Sequence, residues 1–216
     1  MAPCFNRKAI TKIVLEQLMA NKGPEQHLIA INDGSTDYDS DFLSPLVDEV
    51  ITNNTTQGID AVRMSNFKLF MERDYEYLYL TDNDAFHAPD YLDRLLYLRN
   101  KTSYPSSIFN SPYHEHNTKR TYGNDYVVRS SCPGVSILLK KPEVRAIIQK
   151  NAQGFDSVGW DYNINKAIPQ YAISFNSYIY HFGKSGLHNK EHSDDPGLNH
   201  VQYLLENKDR ILKEIS

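Results

Sequence analysis

The chain is most constrained by an apolar and aromatic run that stops in acid. Tyr77-Leu78-Tyr79-Leu80-Thr81 has the composition of a buried strand, and Asp82-Asn83-Asp84 ends it. A helix start is expected just beyond, at Ala88-Pro89-Asp90. A central strand of this kind carries two carboxylates to its C-terminal edge, where open α/β sheets receive their ligands. Carboxylates so closely spaced repel each other unless a cation holds them. Oxygen ligands suit hard divalent ions, Mg²⁺ or Mn²⁺, which usually arrive with a nucleotide's phosphates. The same residues also make a good turn, because Asp and Asn favour turns and Asp caps helices. The rest of the chain has to decide between a capped turn and a metal site.

The residues before this run alternate between strand and helix. Met1 to Arg7 reads as the tail of a strand entering a loop. Lys8 to Ala20 carries Ile10, Ile13, Val14 and Leu18 at helical spacing, and Asn21-Lys22-Gly23-Pro24 stops it. His27 to Ile31 is a short buried strand, closed by Asn32-Asp33-Gly34-Ser35-Thr36-Asp37. Val47 to Ile51 is another strand. Ile59 to about Arg73 is a helix with Ala61, Met64, Phe67, Phe70 and Met71 on its buried face. This β-α-β-β-α-β order is that of a nucleotide-binding half of a doubly wound sheet. The chain has no Gly-x-Gly-x-x-Gly and no P-loop, which argues against dinucleotides and against ordinary kinases and ATPases.

The second half is less regular. Ala88 to Asn100 reads as a helix. Ser107 to Ser111, Tyr126 to Arg129 and Ile137 to Leu139 read as strands, and Pro142 to Lys150 as a short helix. His114-Glu115-His116 falls in a polar loop and lacks the spacing of a metal motif. Gly154 to Asp161 gathers Asp156, Asp161 and the single Trp, Trp160, before a helix from Tyr162 to Ile168. Ala172 to His181 reads as one strand. Residues 182–199, rich in Gly and His, suit a mobile lid, and an amphipathic helix follows from about Leu198 to Ile215. One domain spanning 1–216 is the economical reading, with about 1–100 for the nucleotide and about 101–216 for acceptor and metal.

Composition narrows the classes. A net charge of −4 and scattered Lys and Arg leave no nucleic-acid footprint. The two cysteines, Cys4 and Cys132, form no zinc or disulfide pattern, so a reducing, cytoplasmic setting is the expectation. No apolar run approaches membrane-spanning length.

Several of these stretches together resemble the GT-A fold nucleotide-sugar glycosyltransferases, family 2 in particular. Phe5-Asn6-Arg7 resembles the family's first loop. Asn32-Asp33-Gly34-Ser35-Thr36-Asp37 is similar to its Asp-Asp-Gly-Ser-Thr-Asp signature. Asn54 with Gly58, Arg63 and Asn66 loosely resembles its Asn-x-Gly and Ala-Arg-Asn elements. Asp82-Asn83-Asp84 matches its DxD element. Trp160-Asp161 stands where the family carries an acidic base, and His181-Phe182-Gly183-Lys184-Ser185 resembles the strand end that supplies a metal-ligand His.

The resemblance implies a single Rossmann-like α/β domain with a mixed central sheet flanked by helices. It implies transfer of a sugar from a nucleoside diphosphate, UDP favoured, to a glycan or other hydroxyl acceptor, with Mn²⁺ or Mg²⁺ as cofactor. Asp82, Asp84 and His181 would hold the metal. Pro3, Phe5, Arg7, Asp33, Gly58, Arg63, Asp82 and Asn83 would meet the nucleotide. Asp161 would be the general base of an inverting displacement, with Asp156 as its competitor. Trp160, Lys184 and His188 would serve the acceptor and the lid. A bland alternative stands beside each: Asp33 as a turn brace, Arg63 as a solvated helix residue, Asp161 as a helix cap. At the level of the whole chain the alternatives are a sugar-1-phosphate nucleotidyltransferase and a non-catalytic carbohydrate-binding module.

Overall fold

The architecture follows from strands whose two faces bury into different layers. It is seen in a computed structural model that describes residues 1–111, 120–156, 159–183, 197 and 201–214. β1 (Ala2–Cys4), β2 (Ile29–Asp33) and β3 (Glu49–Asn53) form a parallel set in the order β1-β2-β3. The expected strand tail at the start is thus a paired strand, with Pro3 opposite Ile31. Met1 bonds to the Tyr79 carbonyl at 2.7 Å and accepts from Thr81 N–H at 3.3 Å, which sets β4 (Tyr77–Thr81) alongside β1. From β4 the sheet continues through β9 (Ser136–Lys140), β6 (Ser106–Ser107), β10 (Tyr171–Ser174), β8 (Tyr126–Arg129) and β7 (Arg120–Tyr122). β10 runs parallel to β6 but antiparallel to β8, so the sheet is mixed.

Side chains of successive strand residues point to opposite faces. Ala30, Val50, Tyr77, Tyr79 and Leu138 join one apolar cluster, while Ile29, Ile31, Ile51, Leu78, Leu80, Ile137 and Leu139 join the other. The first cluster includes Val14 and Leu18 of α1 (Lys8–Asn21), Leu95 of α4 (Tyr91–Thr102) and Ile211 of α7 (Gln202–Glu214). The second includes Phe67 and Phe70 of α3 (Ile59–Glu72), Ile147 of α5 (Lys141–Lys150) and Ile164 of α6 (Trp160–Ala167). Helices on both faces of a sheet are what near-continuous apolar strands require. A short α2 (Ser40–Leu43), capped by the Asp39 carboxylate, fills the β2–β3 crossover.

The structure corrects several element boundaries. The expected strand from Ala172 to His181 is two strands, β10 and β11 (Ile179–His181), which lie in different sheets. β11 pairs antiparallel with β5 (Ala85–His87), a strand the sequence does not announce because its partner is so distant in the chain. The helix expected from Ala88 begins at Tyr91, since Ala85–His87 is committed to that pairing. The Ser107–Ser111 strand shrinks to Ser106–Ser107. The helix expected from Tyr162 begins at Trp160, so Asp161 lies inside its first turn. Among the described residues no helix is long and apolar enough to cross a membrane. His114, Glu115, His116, Lys184 and His188, and nearly all of the expected lid, lie outside the described residues.

Candidate active site

The C-terminal ends of β1, β2 and β4 meet in one corner, and their loops are latched to one another. After β1, Asn6 and Arg7 adopt left-handed conformations (φ 54° and 68°), uncommon for residues with a Cβ. Asn6 Oδ1 accepts from Thr36 N–H at 2.7 Å, and Asn6 N–H donates to Ser35 Oγ at 2.9 Å. The first helix starts directly after, with Lys8 N–H donating to the Asp37 carboxylate at 3.1 Å. The loops after β1 and β2 are therefore one unit.

Asp33, at the end of β2, is buried and accepts four hydrogen bonds. Asn53 Nδ2 and Gln57 N–H donate to one oxygen, and Thr56 Oγ1 and Gly58 N–H to the other, at 2.8 to 3.0 Å. The carboxylate thus ties the β3–α3 loop against β2. Gly34 is needed at that contact: its φ is +72°, and a Cβ there would lie 2.6 Å from Thr56 N. Gly58 precedes α3 with φ 82° and ψ 156°, a conformation that belongs to glycine. The sequence flags Gly34 through its Asp-Gly turn signal, but Asn6 and Thr36 as latches carry no such mark.

β4 delivers Asp82 and Asp84 into the same corner. Asn83 turns away and donates to Thr11 Oγ1 of α1 at 2.7 Å, which fixes the acidic turn to that helix. The Ala85 N–H donates to the Asp82 carbonyl at 3.3 Å, closing the turn. β5 then pairs with β11, where His181 stands directly opposite Ala85. Phe182 N–H donates to the Asp84 carbonyl at 3.0 Å. This ribbon brings His181 Nε2 to 3.3 Å from Asp84 Oδ1. One ligand atom from each of Asp82, Asp84 and His181 lies within 4.8 Å of the others.

Two arginines face these acids. Arg7 Nη1 donates to Asp84 Oδ2 at 2.5 Å, and its Nη2 to the Phe182 carbonyl at 3.1 Å. Arg63, on α3, is fully buried and donates through Nη2 to both the Asp82 carboxylate and the Thr81 carbonyl. Burial pushes Asp84 up, but the nearby His181 and Arg7 outweigh it and hold this carboxyl well below the usual range. Asp82 goes the other way. Burial raises it, Arg63 opposes, and the charges of Asp84 and Asp161 add to the rise. Asp161, in the first turn of α6, accepts through Oδ1 from Tyr162 N–H at 2.8 Å. Asp156 looks elsewhere: Lys166 Nζ and Asn163 Nδ2 donate to it at 2.6 and 2.8 Å. Trp160 is buried, with its ring against the Arg63 guanidinium.

The residues present fit a divalent ion. Two carboxylates and one imidazole form a hard, mainly oxygen donor set suited to Mn²⁺ or Mg²⁺. The 3.3 Å between His181 Nε2 and Asp84 Oδ1 is close to the roughly 3 Å edge of an octahedron with bonds near 2.1 Å.

A family model described as Glycosyl transferase family 2 matches residues 1–167. Among solved structures, S. aureus TarS 1–349 in complex with UDP-GlcNAc superposes with a TM-score of 0.62 at 14% identity, covering 99% of this chain and 64% of that one. The same protein in complex with UDP gives 0.56 at 14% identity, over 100% and 63%. A197 from STIV gives 0.52 at 12% identity, over 84% and 83%. The chain thus spans a little under two thirds of TarS 1–349. A sequence search of curated proteins found no match. At such identities the superpositions speak for the GT-A fold alone, while the family model covers most of the chain. The chain belongs to glycosyl transferase family 2.

Proposed function

We propose that this family 2 member moves a sugar from a nucleoside-diphosphate donor, UDP-sugar favoured, to a hydroxyl of a glycan acceptor, with inversion at the anomeric carbon. The observation that carries the reading is the convergence of Asp82, Asp84 and His181 at the C-terminal edge of β4. The likeness to TarS, solved with UDP-GlcNAc and with UDP, favours uridine.

Asp82, Asp84 and His181 would hold Mn²⁺ or Mg²⁺, which when bound supplies positive charge to the leaving diphosphate. Pro3, Phe5 and Gly58 flank the nucleotide. Asp33 shapes the loop beneath it through its four bonds. Arg7 offers a planar fork suited to phosphate and carbonyl oxygens, while the fully buried Arg63 holds Asp82. Asn83 holds the acidic turn to α1. Asp161 accepts the proton of the attacking hydroxyl as the bond to the anomeric carbon forms. Its position in the first turn of α6, directly after the Trp160 that stacks on Arg63, favours it over Asp156, which is engaged by Lys166.

Calorimetric titration with UDP, GDP and dTDP, with and without Mn²⁺, tests the reading. Tight binding of one nucleotide that requires the metal is the expected result. Binding of none, with metal or with chelator, would overturn the donor site.

A further inference from the structure

Trp160 opens α6 and is held from three sides. Its backbone N–H donates to Asp60 Oδ1 at 3.0 Å. Three residues further along α3, on the same face, Arg63 sets its guanidinium 4.5 Å from the centre of the indole. From another side comes the backbone of Gly134, where a Cβ would lie 2.5 Å from Trp160 Cζ2 and 3.2 Å from Asp161 Cβ. Only a residue without a side chain lets this loop close on the indole.

The far edge of the same guanidinium grips Asp82 and the Thr81 carbonyl. Arg63 Nε and Nη1 are buried with no hydrogen-bond partner among the described residues. A buried cationic fork with two donors unmatched is costly in an apolar setting. An aromatic face offsets part of that cost, because its quadrupole attracts the cation and accepts N–H groups weakly. Filling volume does not require an aromatic ring; steadying this guanidinium does.

We infer that Trp160 is a positioning residue that locks the candidate base helix to the donor-side acid Asp82 through Arg63, so that the donor and acceptor sites are set by one stack. The inference rests on the glycosyltransferase reading. Asp161 follows Trp160 directly, so the stack that orients Asp82 also fixes where the base stands. Trp160 is the single Trp in the chain, so its emission reports on the surroundings of this indole.

The test uses Trp160→Leu and Trp160→Phe, titrated calorimetrically with UDP in the presence of Mn²⁺ and compared by thermal unfolding. Trp160→Leu should weaken UDP binding about tenfold. Trp160→Phe should stay within about threefold of the wild type, at a temperature where the melting curves show both variants fully folded. Wild-type emission should change on adding UDP with Mn²⁺. Equal affinity of Trp160→Leu and wild type, or an equal loss in both variants, overturns the inference and leaves the donor site standing. If the wild type binds no nucleotide, the donor-site reading itself has failed and the inference falls with it. Should Trp160→Leu not fold, Gly134→Ala carries the test by pushing on the indole from outside. A loss of UDP affinity is expected there, and unchanged affinity overturns the inference.

Discussion

The loops after β2 and β4 start from the same sequence signal, an apolar strand ending in Asp, and become different objects. Asp33 is surrounded by neutral donors, two of them backbone N–H groups, and all four bonds stay within one corner. Asp82 pairs with a buried guanidinium, and the charges of Asp84 and Asp161 add to the rise that burial imposes on its carboxyl. Dipoles that saturate a carboxylate make it a brace. Cations and neighbouring acids keep it electrostatically strained, and that is the condition a cation-binding site needs. An acid at a strand end is thus an ambiguous signal, resolved by what the rest of the chain brings to face it.

The contrast breaks most visibly under single substitutions. Asp84→Asn should reduce metal-dependent UDP binding by more than about 100-fold, beyond the range typical of outer partners of a metal site, and should also lower the melting temperature, because Arg7 and His181 lose a buried anionic partner. Calorimetry and a melting curve on the same sample check both halves of that statement. Asp33→Ala should act on stability far more than on binding. Stripping four donors of their acceptor should cost roughly 3 kcal/mol in urea unfolding. If the Asp33 variant keeps its stability and loses only nucleotide affinity, the two acids are alike after all.

Gly34→Ala tests the brace from the backbone side. Its positive φ and the approach of Thr56 should make the change cost about 2 kcal/mol by the same urea measurement. pH then separates the β4 side from the β2 side. His87, at the end of β5, is buried against the Tyr79 hydroxyl, and burial pulls its pKa down to about 3. A histidine near 6.5 in the unfolded chain takes up a proton that the folded chain refuses until about pH 3. Stability should therefore hold above pH 6.5 and fall below it by up to about 1.4 kcal/mol per pH unit, and His87→Gln should flatten that slope. Last and smallest, Asn83→Ala should cost about 1 kcal/mol, the value of one lost hydrogen bond to Thr11.

What was legible in the sequence was what local pattern determines. The apolar runs at Ile29–Ile31 and Tyr77–Leu80 fixed β2 and β4, and their terminal acids placed Asp33, Asp82 and Asp84 at one edge. The pattern of family motifs supplied His181 and Asp161 as candidates. What stayed hidden depends on partners far away in the chain. β5 has three residues and exists because β11 pairs with it. Arg63, between Val62 and Met64 on α3, reads in the sequence as a nucleotide contact or a solvated helix residue, yet it is fully buried between Asp82 and Trp160. The break between β10 and β11 is marked only by the turn-favouring pair Asn176-Ser177, set between the aromatic Phe175 and Tyr178.

That break has a consequence for how the chain tolerates length changes. Surface connections ordinarily accept an extra residue cheaply. The four residues 175–178 do not belong to that class, because they count out which side chain of β11 lands opposite Ala85. One residue inserted there slips the ladder by one rung and sends the imidazole to the opposite face, presenting Tyr180 in its place. Two residues restore the facing but carry the histidine's rung about 7 Å along the strand, out of reach of Asp84. The spacing between β10 and β11 is a coordinate of the site, written in residue count instead of residue identity.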